Sequence, residues 1–183
     1  MTRIKMLTQA EMNDDQRRVY ESAVAGRRGH APAPLVAWLG SPELADRAQK
    51  LGEFVRYQTT LPPRLSELAI LITARHWTAQ YEWFAHKQEA LKARLDPAVI
   101  DDIACRRQPR LENRDERVVY DFTVSLIETH AVRDDLYRAT VDSLGERGVV
   151  ELVGLLGYYT LISMTVNTFE LGPPSGTAAE LEP

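Results

Sequence analysis

Glu67, Glu82 and His86 are residues able to move protons, set within twenty positions of one another. Glu82 and His86 lie four apart in "AQYEWFAH". On a helix that spacing puts a carboxylate and an imidazole on one face, one turn apart. An imidazole beside a carboxylate transfers protons near neutral pH, because the carboxylate fixes the ring tautomer and raises its basicity. Glu67 sits in "LSELAIL", beside Leu65, Leu68 and Ile70, where an unpaired carboxylate is costly. If the chain turns near residues 77–79, the helix holding Glu67 packs beside the one holding His86. A second carboxylate then faces the same cleft, and Tyr81 can donate a hydrogen bond to a developing oxyanion. Two plainer readings compete. Glu82 and His86 could be a solvated helix-surface pair. They could also share a cation, but that needs more ligands, and His30, His76 and His130 have no matching spacing.

The elements that must position these residues read as helices nearly throughout. Asn13 or Asp14 caps a first helix that closes on Gly26 or Gly29, and "HAPAP" is an extended link. "PLVAWLGSP" is a short helix. Ser41, Pro42 and Glu43 open the next, with Leu44, Ala48, Leu51 and Val55 on one face. "LPPRLSELAILITARHWT" is apolar enough to be buried on more than one side. "AQYEWFAHKQEALKARL", "DPAVIDDIACRR" and "ENRDERVVYDFTVSLIETH" follow as helices, then "RDDLYRATVDSLG" and the long "ERGVVELVGLLGYYTLISMTVNTF". In the last, Gly148, Gly154 and Gly157 are expected to allow close backbone approach. No alternating strand pattern survives, so the expected fold is an all-α bundle. Residues 1–172 form one domain in this reading, and the tail "GPPSGTAAELEP", from about residue 173, is expected to be disordered.

Composition narrows the function classes. The chain has 183 residues, 44% hydrophobic and 26% charged, with a formal net charge of -4. That balance suits one globular domain and leaves no basic footprint for nucleic acid. A few arginines in a pocket can still hold an anion. Cys105 is the only cysteine, so an intrachain disulfide and a cysteine-based zinc site are both ruled out. The N-terminal stretch has no apolar signal core, no spanning run is expected, and the expected location is the cytoplasm. Trp83, Phe84, Tyr158 and Tyr159 read as packing residues and Trp38 as a core anchor. "GRRGH" could supply a basic loop near the site, but as a lone cluster it is a weak signal.

The segments "LSELAILITARHWTAQYEWFAHKQEAL", "DERVVYDF" and "GERGVVELVGLLGYYTLISMTVNTFEL" together resemble the carboxymuconolactone decarboxylase family, within the alkylhydroperoxidase D-like superfamily. The resemblance covers roughly residues 15 to 172. The peroxidase branch of that superfamily carries a Glu, a C-x-x-C pair and a His four residues after the second Cys. Placing His86 on that His puts Ala79 and Glu82 on the two cysteines and Glu67 on the upstream Glu. Without the pair no thiol relay forms, so the resemblance favours the decarboxylase-like branch and disfavours a thiol peroxidase. It implies an alkylhydroperoxidase D-like helical bundle and loss of CO2 from a small carboxylated lactone such as 4-carboxymuconolactone, with no organic cofactor or metal. It also implies a homo-oligomer, trimeric or hexameric; charge balance and hydropathy, separately, lead us to expect neither nucleic acid nor membrane as a partner. On that reading His86 transfers the proton, Glu82 faces the substrate, Glu67 orients His86 or relays a proton, and Tyr81 contacts an oxyanion. Arg56 and Arg75 are candidate carboxylate anchors, and Asn167 is a candidate substrate contact. The alternatives are another Glu/His acid–base enzyme, such as an isomerase, dehydratase or hydrolase, and a binding protein on the same scaffold.

Overall fold

Caps and prolines set where the helices begin. In the computed structural model, which describes residues 2–183, a single 3-10 turn at Gln9–Glu11 precedes the first helix. Asn13 accepts the Gln16 amide hydrogen, and the Gln16 side chain accepts from the Asn13 amide. This reciprocal box starts α1 (Asp14–Ala25). Proline within the first two positions opens α2 (Ala33–Trp38), α3 (Pro42–Tyr57) and α4 (Pro63–His76), where its missing N–H costs nothing. After a three-residue turn comes α5 (Gln80–Lys92). Asp96 caps α6 (Pro97–Ala104), which also opens on proline. The set closes with α7 (Arg114–Thr129) and α8 (Asp134–Thr168). The described residues contain no strand, as the periodicity predicts.

Helix α4 is the axis of the bundle. Every residue from 65 to 75 is buried, because α5, α7 and α8 all pack against it. A helix covered on all sides must be apolar all round, which "LSELAILITAR" nearly is. Helix α8 breaks at Gly145, whose φ of 71° and ψ of 164° are not helical. The glycine joins the two segments that the sequence reads as separate helices. On length and composition alone α8 is apolar enough to cross a membrane, contrary to expectation. In the fold 61% of that apolar window is buried, so most of it is core here.

Three packing expectations need correction. The buried face of α3 is Ala45, Ala48, Gly52 and Val55, while Leu44 and Leu51 are exposed. At Gly52 a Cβ would collide with the Tyr158 hydroxyl, so this face must come close to α8 at that position. That close approach lies in α3, not at the α8 glycines: Gly154 and Gly157 have no tight neighbour, and the atom crowding Gly148 belongs to its own helix. The tail is not loose either. Leu181 is buried, and the Gln80 side-chain amide donates to the Leu181 carbonyl at 2.6 Å and accepts from the Glu180 and Leu181 amides. One amide side chain thus satisfies a carbonyl and two successive amides of the tail backbone, and an apolar anchor holds it in place. Trp38 is the expected core anchor, its indole N–H donating to Thr165 Oγ1 at 2.9 Å.

Candidate active site

Residues 77–79 join α4 to α5, and Thr78 takes a φ of 49°. This left-handed residue reverses the chain in a short turn, so the two helices lie antiparallel. The hairpin brings Glu67 of α4 against His86 of α5. His86 Nδ1 lies 2.6 Å from Glu67 Oε2, and Nε2 lies 3.5 Å from Glu82 Oε2. His86, Glu82 and Glu67 are 3%, 4% and 7% exposed. The pair is therefore not a solvated surface feature.

The two ring nitrogens have different jobs. Glu67 at 2.6 Å is within a charge-assisted hydrogen bond of Nδ1. With Glu67 ionised, Nδ1 carries the proton and donates it, and Nε2 keeps a lone pair toward Glu82 and the cleft. The 3.5 Å gap at Nε2 is too long for a strong hydrogen bond, so this nitrogen remains available to a reacting group. Burial pushes the Glu82 carboxyl above its ordinary value of 4.5. His86, Arg56 and Arg28 oppose that shift, and Glu67 adds to it. Its place in the first turn of α5, where the helix dipole favours a negative charge, does not outweigh the burial. The site thus pairs a basic nitrogen with a carboxyl disposed to hold its proton, the arrangement that acid–base catalysis needs.

A small cleft opens onto this pair, lined by Arg28, Arg56, Tyr81, Glu82, His86 and Tyr159 among others. The Tyr81 hydroxyl accepts from the Ala33 amide at 3.3 Å, which leaves its own proton free to donate into the cleft. Burial, chiefly, raises its pKa. Arg56 lines the cleft and also the neighbouring cavity that holds Glu67. Burial works against its charge, but Tyr159, Tyr57, Glu67 and Glu89 more than offset that.

Two expected site residues are elsewhere. Arg75, at the far end of α4, donates to Thr78 Oγ1 at 3.0 Å and to the Glu182 carbonyl at 2.7 Å. It lines a different cavity, with Arg106 and Tyr120. Asn167 is exposed and donates to the Trp77 carbonyl at 2.7 Å. It ties the end of α8 to the α4–α5 turn and does not reach the cleft. One residue of the cleft has no sequence signal: Tyr159, which reads as packing in an apolar helix, sits edge-on to the His86 ring with centroids 4.8 Å apart, and burial raises its pKa well above 10. The basic loop "GRRGH" does lie near the site, with Arg28 and His30 lining the cleft; the cluster alone does not say which of its arginines does so. Cys105 is exposed beyond the end of α6 and does not line the cleft.

Two solved structures share this architecture. One is the alkylhydroperoxidase AhpD core of an uncharacterized peroxidase-related protein from Ralstonia eutropha JMP134. It matches with a TM-score of 0.76 at 16% identity, over 95% of this chain and 93% of that one. The other, an uncharacterized peroxidase-related protein from Silicibacter sp. TM1040, gives 0.75 at 14% identity, over 95% and 92%. At such identities the common property is the fold, which is that of the AhpD core. No protein-family model matches the chain, and no curated protein matches it in sequence.

Proposed function

We propose that this protein is a lyase that removes CO2 from a small carboxylated lactone such as 4-carboxymuconolactone, by Glu/His acid–base chemistry. The observation that carries the reading is the His86 ring, held at Nδ1 by Glu67 and open at Nε2 toward a buried Glu82. In the reaction the bond from ring carbon to carboxylate breaks, and its electron pair is taken up by the unsaturated lactone. CO2 leaves, and one proton is delivered to carbon. His86 and Glu82 transfer that proton, Glu67 keeps the imidazole in the useful tautomer, and Tyr81 stabilises negative charge on the lactone oxygen. Arg56 anchors the substrate as an anion.

The solved structures of this fold that are named peroxidase-related raise thiol chemistry as the rival reading. Here a carboxylate occupies the cleft position that the resemblance aligns with a cysteine, and the one thiol lies outside the cleft. We also propose a cytoplasmic homo-oligomer. Exposed apolar side chains on α8 (Val150, Val153, Met164) and α3 (Leu51, Phe54) support a partner of the same kind.

The test is to incubate purified protein with 4-carboxymuconolactone and follow CO2 release together with enol-lactone formation. Turnover that His86→Ala abolishes supports the lyase. No turnover by folded wild-type protein, or full turnover by folded His86→Ala, overturns the assignment.

A further inference from the structure

Residues 26–32 connect α1 to α2 as "GRRGHAP". Gly29 reverses this link with a φ of 72°, a value that L side chains rarely adopt. The link runs along the mouth of the catalytic region. Arg28 and His30 line the cleft that holds Glu82 and His86, and both also line the cavity that holds Glu67. Arg56 of α3 lines the same two cavities. Among the described residues neither Arg28 nor Arg56 makes an ion pair within 4.0 Å. Both are half-buried, and that environment strengthens their pull on an anion relative to open water.

The carboxylate that these guanidiniums hold can be identified from the energetics of losing CO2. A carboxylate about to leave gives up its charge in the transition state. Strong hydrogen bonds to it stabilise the ground state more than the transition state, and so slow the step. A carboxylate that stays in the product keeps its charge throughout, and binding it costs the chemistry nothing. The apolar wall of the cleft, Pro34 and Ile162 beside Tyr159, suits the leaving group. The paired guanidiniums suit the one that remains.

We propose that Arg28 on the α1–α2 link and Arg56 on α3 form a two-guanidinium clamp for the substrate carboxylate that is not lost, making the link the element that selects small anions. The assignment rests on the lyase reading for which carboxylate stays, but the clamp itself is testable without turnover. The probe is adipate, an unreactive six-carbon dicarboxylate, with its neutral diamide as control. Binding is followed by calorimetry on the full chain for wild type, Arg28→Gln, Arg28→Lys, Arg56→Gln and His86→Ala.

Adipate is expected to bind wild type and His86→Ala alike, and more weakly as salt rises. It should bind about tenfold or more weakly to either Gln variant, with part of the loss restored in Arg28→Lys, and the diamide should not bind. Binding that survives Arg28→Gln and Arg56→Gln, or no adipate binding to folded wild type, overturns the clamp. Adipate binding with this pattern but no decarboxylation leaves the clamp standing and sinks only the lyase. Where turnover occurs, Arg28→Gln should raise KM with kcat unchanged. A rise in kcat together with KM would place the arginine on the leaving carboxylate and contradict the proposal.

Discussion

Glu82 and Glu151 are buried to nearly the same extent, 4% and 5% exposed, yet their surroundings differ in kind. Glu151 on α8 accepts from the Thr60 amide at 2.6 Å, from the Thr60 hydroxyl at 2.7 Å and from Arg147 Nε at 2.8 Å. Burial pushes its pKa up, but the Thr60 hydroxyl, the Thr60 amide and Arg147 together bring it below the ordinary value. Among the described residues Glu82 accepts no hydrogen bond and has one ion-pair partner, His86 Nε2 at 3.5 Å, and burial leaves its pKa raised. A carboxylate with its lone pairs satisfied is a structural brace, here fixing the α3–α4 connection to α8. A carboxyl left short of donors and next to an imidazole is equipped to exchange a proton. Exposed surface does not separate the two; depth in the fold and the donors around them do.

The difference can be broken from either side. The largest effect falls on activity: His86→Ala should lower turnover by about a hundredfold or more while circular dichroism shows an intact helical fold. Next in size is Glu151→Ala, which strands the Thr60 amide and should cost about 2 kcal/mol or more of stability in denaturant melts, leaving the turnover of folded protein near wild type.

The two carboxyls should also give opposite pH signs. Glu151, with a lowered folded pKa, stabilises the fold above 4.5 and loses that contribution as pH falls. Glu82, with a raised one, keeps its proton while the unfolded chain ionises above 4.5. Stability is therefore lost as pH rises toward its folded value. Glu82→Gln should accordingly raise Tm over wild type near pH 8 and lose that advantage near pH 4, at the expense of activity. An advantage that grows toward acid pH would show the sign to be wrong. The smallest effect is Cys105→Ser, for which unchanged turnover is expected; a large loss would restore the thiol reading.

What could be read from the sequence tracks periodicity. Glu67, Glu82 and His86 meet because helical spacing and one short turn dictate it, and both features are visible in the residues. Arg75 failed as a site residue because its direction depends on what lies at the end of α4. There the Glu182 carbonyl and Thr78 take it, and no local pattern announces a distant tail. The tail itself looked featureless because its hold comes from one leucine and one glutamine side chain, too little to shift a composition argument. On α3 the leucines point to the wrong face, since the close approach at Gly52 is set by Tyr158 on another helix. Arg28 lies on a non-periodic link whose course over the cleft is set by tertiary structure alone.

The most direct measurement is the protonation of Glu82 itself. Difference infrared spectroscopy on ¹³C-Glu-labelled wild type, Glu82→Gln and Glu151→Gln, followed as a pH titration, separates protonated carboxyl from carboxylate. The account predicts that the carboxyl band removed by Glu82→Gln persists to a pH above the ordinary 4.5, while the band removed by Glu151→Gln is lost below it. A Glu82 band that disappears at or below the ordinary value would contradict the account, because the carboxyl facing His86 would then be no better a proton donor than a free one.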